Sequence, residues 1–205
     1  MKLKWQYWYF KNALSHKFCD DIIKLGDTKV KKLGTISGVQ GKKKRIKNKQ
    51  KLLKHRNSNI AWLNEPWIYN ELHQLVIRAN QDAEWNFQFD YSENLQFTLY
   101  QKGQFYEWHQ DSFDSVMYNK GDPNYNGKIR KLSVTVSLND SSEYTGGRLQ
   151  FIDRTKIKPK ILTCKEIISK GSVVVFPSFM WHRVTPVKSG TRKSLVMWNL
   201  GYPFV

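Results

Sequence analysis

Only two cysteines occur in 205 residues, Cys19 and Cys164, far apart and outside any CxxC pair. Neither a disulfide framework nor a cysteine zinc site can be built from them. Long apolar runs are also missing, and nothing approaches the roughly 20 consecutive apolar residues that a bilayer-spanning helix needs. The opening MKLKWQYWYF has neither an aliphatic run nor a small-residue cleavage site, so no secretory leader is expected. These absences together predict a soluble chain of a reducing cytoplasm. Acidic residues are scarce, with 17 Asp plus Glu against 34 Lys plus Arg. The shortage is local: no acid lies between Asp27 and Glu65, while twelve basic residues fall between Lys29 and Arg56. That arm, 29–56, reads equally as an electropositive segment for a nucleic acid or other acidic partner and as a solvated loop. Aromatics, by contrast, are plentiful: 8 Trp, 10 Tyr and 11 Phe supply the apolar area that a disordered chain lacks. The length suits one domain with a real core, 1–205.

Periodicity divides that domain into two parts. Residues 3–10 alternate as a strand, and Ser15 is a hydroxyl N-cap for a short helix with Phe18, Cys19, Ile22 and Ile23 on one side and Gly26 as its stop. Pro66 occupies a first-turn position of a longer helix whose apolar stripe runs Trp67, Ile68, Leu72, Leu75, Val76, Ala79. From Asn94 the texture becomes short β-rich runs: 95–100, 104–109, 132–138, 148–152, 157–163, 172–177, 182–187 and 192–201. Turn signals such as Lys102-Gly103, Gly146-Gly147 and Ser189-Gly190 separate them. The prediction is a mainly β (α+β) protein: a jelly-roll core over 94–205, with the strand and helices of 1–93 packed on one sheet.

Four residues stand out within the β-rich part. His109 and Asp111 are two apart at the end of a strand, so both side chains aim at the same face. His182 opens a strand 71 residues after Asp111. Two imidazoles and one carboxylate make the facial triad of non-heme Fe(II) centres, leaving open positions for a bidentate co-substrate and dioxygen. Arg192 lies on the following strand, and its planar guanidinium can clasp a carboxylate through two parallel hydrogen bonds, with Ser194 adding a hydroxyl. By contrast, His16, His55 and His73 have no companion at a ligand spacing. Val173, Val175, Phe176, Val184, Val196 and Trp198 are candidates for apolar walls.

The texts LYQKGQFYEWHQD, SVTVSLND, GGRLQF and GSVVVFPSFMWHRVTPVKSGTRKSLVMWNLG resemble the Fe(II)/2-oxoglutarate-dependent dioxygenases, in particular their prolyl 4-hydroxylase-like branch. Residues 14–26, LSHKFCDDIIKLG, resemble the lead-in helix of that family. The resemblance implies a double-stranded β-helix core, iron held by His109, Asp111 and His182, and 2-oxoglutarate anchored by Arg192. It further implies a co-substrate contact from Tyr100, a substrate pocket lined by Tyr106 and Trp198, and L-ascorbate as an auxiliary reductant. Where oxygen-sensing members carry a tyrosine, this chain has Ser137, which could partly take over that hydrogen bond. Where nucleic-acid demethylases carry a second arginine, it has Trp198.

The implied activity couples oxidative decarboxylation of 2-oxoglutarate to hydroxylation of a peptide or protein, with proline the favoured target and no membrane involved. Two alternatives stay open at this level. One is the same chemistry on a free amino acid, another small molecule or nucleic acid. The other is a non-catalytic jelly-roll binding module. The loop 112–130, directly after Asp111, stands where active-site lids occur.

Overall fold

The computed structural model describes residues 3–30, 32–33, 55–112, 115–119, 121–153 and 158–204. Most of the basic arm, 34–54, lies outside the described residues, as do Phe113, Asp114 and Lys120 of the loop after Asp111.

The first third alternates strands and helices: β1 (Trp8–Phe10), α1 (His16–Lys29), β2 (Lys32–Leu33), β3 (Arg56–Asn57), β4 (Asn59–Leu63) and α2 (Pro66–Asp82). The rest is β: β5 (Tyr91–Ser92), β6 (Leu95–Tyr100), β7 (Phe105–His109), β8 (Ile129–Ser137), β9 (Tyr144–Gly146), β10 (Leu149–Asp153) and β11 (Lys160–Thr163). It closes with β12 (Val173–Pro177), β13 (His182–Val184), β14 (Val187–Gly190) and β15 (Arg192–Gly201). A large antiparallel sheet runs β1-β12-β8-β15-β6-β4-β2, with β5 also on β15, and a smaller one runs β11-β10-β13-β7-β3. Strands β14 and β9 form a separate two-stranded pair. This is the jelly roll predicted from the strand spacing.

Alternation along the strands sorts side chains between two cores. Val173, Val175, Leu195 and Met197 face the helices, where Cys19 and Ile22 of α1 and Ile68, Leu72, Val76 and Ala79 of α2 complete one buried cluster. Each such aliphatic side chain contributes roughly 1.5–3 kcal/mol by leaving water. Val174 and Phe176 turn the other way and pack between the sheets with Phe151, Leu149 and Val184. Val173 and Val175 are therefore core under the helices, and only Val184, Val196 and Trp198 of the six predicted wall residues line the cavity between the sheets.

Several local expectations change in the fold. The strand foreseen at 3–10 shrinks to Trp8–Phe10, paired with β12. Ser15 caps α1 as expected, its Oγ accepting from the Phe18 amide at 3.1 Å. Gly26 does not end the helix, however; it lets α1 run close over the sheet, since a Cβ there would sit 2.4 Å from the Phe97 ring. The stretch 182–187 splits at Thr185-Pro186: β13 stays in the small sheet and Val187 starts β14 against β9. Ser189 and Gly190 thus belong to a strand. The N-terminal third also contributes strands the pattern did not signal, β4 pairing with β6 and β3 with β7. Among the described residues, no helix is long and apolar enough to cross a membrane.

Candidate metal centre

Strands β7 and β13 bring the two imidazoles together. His109 closes β7, His182 opens β13, and the two are directly opposite in the ladder. Their ring centroids are 4.1 Å apart. Asp111 lies just beyond β7, its amide donating to the Ser178 carbonyl at 2.9 Å. Its carboxylate comes 3.7 Å from His109 Nε2 and 3.5 Å from His182 Nε2. One ligand atom from each of the three lies within 4.8 Å of the others. Side chains held at this spacing can converge on a single ion.

The hydrogen bonds around the trio set its chemistry. His109 Nδ1 lies 2.7 Å from the Glu107 carbonyl and His182 Nδ1 2.9 Å from the Met180 carbonyl. A carbonyl only accepts, so both Nδ1 atoms carry the proton and both Nε2 lone pairs face the centre. Burial, then the neighbouring His182, pushes His109 down to about 3, so it is neutral at physiological pH. Burial works to raise the Asp111 carboxyl, but His182, His109, Arg130 and the Ser133 hydroxyl outweigh it and hold it at about 2. Ser133 Oγ donates to Asp111 Oδ2 at 2.7 Å and lies 2.9 Å from Ser178 Oγ. Two imidazole nitrogens and one carboxylate suit Fe(II), and nothing in the set demands a softer metal.

One cavity gathers the candidate metal ligands, co-substrate contacts and substrate-pocket residues named from the sequence. His109, Asp111, His182, Arg192, Tyr100, Ser194, Tyr106 and Trp198 all line it. Arg192 is only 2% exposed, donates to Ser194 Oγ at 3.1 Å, lies over the Tyr100 ring at 5.5 Å and has no acidic partner among the described residues. A buried guanidinium so placed fits the far carboxylate of a keto acid. Ser137 does not serve here: it shares the β8 face of Ser133 and Thr135, but its hydroxyl donates to the Ile167 carbonyl at 2.5 Å and lies outside the cavity lining.

Sequence reasoning missed part of the surround. Gln96 and Thr135 also line the cavity, as inward members of β6 and β8. Arg130 pairs with Glu93, Nη2 to Oε2 being 2.7 Å, lies 4.0 Å over the Trp198 ring and reaches the Asp111 carbonyl at 3.5 Å. Arg56, at the end of the basic arm, is 5% exposed and lies over the Tyr106 ring at 4.7 Å, and that ring stacks on His109 at 3.5 Å. Inward alternation on β8 would have flagged Thr135; nothing local marks Arg56, whose place depends on β3 joining β7. The loop after Asp111 is tied sideways, with Met117 bridged to Lys128 and Tyr91 donating to Asp122 at 2.7 Å.

Comparisons with known proteins agree with this geometry. The family model of the 2OG-Fe(II) oxygenase superfamily matches residues 95–199. A PKHD-type hydroxylase of Idiomarina loihiensis is 29% identical over 156 residues, which cover 76% of this chain and 60% of that protein. A Shewanella baltica PKHD-type hydroxylase is 35% identical over 106 residues, 50% of this chain and 40% of its own length. The chain thus spans less than two thirds of the length of these curated relatives. Among solved structures, the viral collagen prolyl hydroxylase of Paramecium bursaria Chlorella virus-1, in its 2OG complex, superposes with TM-score 0.62 at 19% identity, covering 97% of each chain.

Proposed function

The chain belongs to the 2OG-Fe(II) oxygenase superfamily, and from that premise we propose that it is a 2-oxoglutarate-dependent dioxygenase hydroxylating a peptidyl residue, proline foremost. The observation that carries the reading is the single cavity that holds His109, Asp111 and His182 together with a buried Arg192 that has no acidic partner among the described residues. In this reading His109 and His182 ligate Fe(II) through Nε2 and Asp111 through its carboxylate. Arg192 and Ser194 hold the distal carboxylate of 2-oxoglutarate, with Tyr100 against it. When bound, iron and 2-oxoglutarate supply the oxidising chemistry, with ascorbate as the auxiliary reductant. The protein supplies placement and a dry, charged wall: Nδ1 protons on carbonyls fix both imidazoles, and Ser133 and Arg130 fix Asp111.

Two further features support a peptide on the substrate side. Tyr106 and Trp198 offer aromatic walls for a pyrrolidine ring. Beside them, Arg56 Nη2 and Trp198 Nε1 are buried donors with no hydrogen-bond partner among the described residues. An unmade buried hydrogen bond costs about 1–3 kcal/mol, so a substrate presenting carbonyl acceptors relieves that cost. A peptide backbone has such acceptors at every residue.

The test is succinate release from 2-oxoglutarate with Fe(II) and ascorbate, in the presence of proline-containing peptides, followed by mass analysis of the peptide. A gain of 16 Da on proline, lost in His109→Ala and His182→Ala, is expected. Turnover with free amino acids or oligonucleotides alone would replace the peptide target, and no turnover, even uncoupled, would sink the enzyme reading.

A further inference from the structure

A second cavity lies away from the metal centre and shares no lining residue with it. Its walls are mainly aromatic: Trp85, Phe87, Phe89, Tyr202 and Phe204, with Lys131 among them. Lys131 falls at an irregularity of the β8–β15 ladder, between Arg130, opposite Leu200, and Leu132, opposite Asn199. It is 3% exposed, and its Nζ lies 3.4 Å from the centroid of the Phe204 ring.

No carboxylate lies within 4 Å of that ammonium among the described residues. Asp90, which also lines the cavity, is engaged by Lys128 Nζ at 2.8 Å. Arg130, next in sequence, has Glu93. The contact with Phe204 compensates Lys131 by only about 0.5–2 kcal/mol. Burial accordingly holds the Lys131 ammonium below its usual pKa. Arg192 is likewise a buried cation with no acid among the described residues, and in the proposed function its partner is the carboxylate of the co-substrate.

We propose that this cavity binds a small organic monoanion with a flat apolar body, an aromatic carboxylate in its simplest form. The rings of Trp85, Phe87, Phe89 and Phe204 take the apolar body, and Lys131 takes the anionic head. Charge complementarity selects the ligand class: a neutral aromatic fits the walls but leaves the ammonium uncompensated, and an inorganic anion answers the charge but not the walls. The site rests on Lys131 and is independent of the metal chemistry.

The probe is phenylacetate, with phenylacetamide as its neutral counterpart, titrated into the full chain while the Trp85 indole N–H is followed by ¹H–¹⁵N correlation spectra. The expected result is a saturable Trp85 shift with phenylacetate, at least tenfold weaker with phenylacetamide, and at least tenfold weaker with phenylacetate in Lys131→Met. Saturating 2-oxoglutarate should leave the phenylacetate affinity unchanged. An unmoved Trp85 signal, equal affinity for acid and amide, or displacement by 2-oxoglutarate would overturn the proposal. The acid–amide comparison uses the unaltered protein, so it decides the matter even where the Met variant folds poorly.

Discussion

Ser133 illustrates how one hydroxyl steadies a candidate metal ligand from outside the trio. It donates to Asp111 Oδ2 at 2.7 Å, so it aims the carboxylate that joins the two imidazoles. Ser133→Ala should weaken binding of Co(II), a redox-stable stand-in, by about 10–100-fold, as loss of a ligand's supporting hydrogen bond does elsewhere. Anaerobic titration calorimetry reads this directly, and an unchanged affinity would free Asp111 from that dependence. The two thiols make a prediction of another kind. Burial pushes Cys19 up to about 11, and burial followed by the Glu166 carboxylate pushes Cys164 up to about 12. The unfolded chain sheds these protons near pH ~8.5, so their contribution to stability is complete below that value and declines as pH rises toward the folded values. Urea midpoints should hold between about pH 7 and 8 and fall by pH ~10, less so in a Cys19→Ala/Cys164→Ala variant. A disulfide-exchange reagent at about pH 8 should find no reactive thiol in the native protein and both after denaturation.

At the scale of elements, two glycines mark where pieces of the fold come too close for a side chain. In α1, a Cβ on Gly26 would lie 2.4 Å from the Phe97 ring, part of the floor under both helices. Gly26→Ala must lift the helix or tilt the ring, a form of overpacking that costs about 1–3 kcal/mol. Chemical denaturation should show that loss although alanine is the better helix former. Gly147, in the turn between β9 and β10, has φ +58 and would place a Cβ 2.9 Å from Arg192 Cδ. Gly147→Ala should therefore raise the 2-oxoglutarate requirement about tenfold, equivalent to ~1.4 kcal/mol, with a smaller change in kcat. A variant with wild-type dependence on 2-oxoglutarate would show that the turn does not position Arg192.

On the scale of the molecule, the candidate metal centre is where the small sheet meets the large one. His109 and His182 come from the former, while Arg192, Ser194 and Ser133 come from the latter. A metal and a keto acid bound together should tie the sheets and raise the unfolding temperature. At about 100 times Kd the linkage is ~2.7 kcal/mol, or roughly 5–11 °C for a chain of this size. Differential scanning with Mn(II) plus 2-oxoglutarate should show the rise, and chelation should reverse it without loss of secondary structure. Much of this was legible in the linear chain, because a period of two, a period of 3.6 and turn residues are local properties. They fixed the strands of the core, the Ser15 cap, the start at Pro66 and the face shared by His109 and Asp111. The chain order also placed His182 and Arg192 at the heads of strands, although β14 intervenes between those strands. Tertiary structure alone decided that Gly26 continues a helix, that Val173 and Val175 turn away from the cavity, and that Ser137 spends its hydroxyl on Ile167. It alone brought Arg56 over Tyr106 and left Lys131 without an acid among the described residues. Those outcomes depend on which distant strand lies alongside and in what register, and neither the spacing of neighbouring residues nor their identity encodes that pairing.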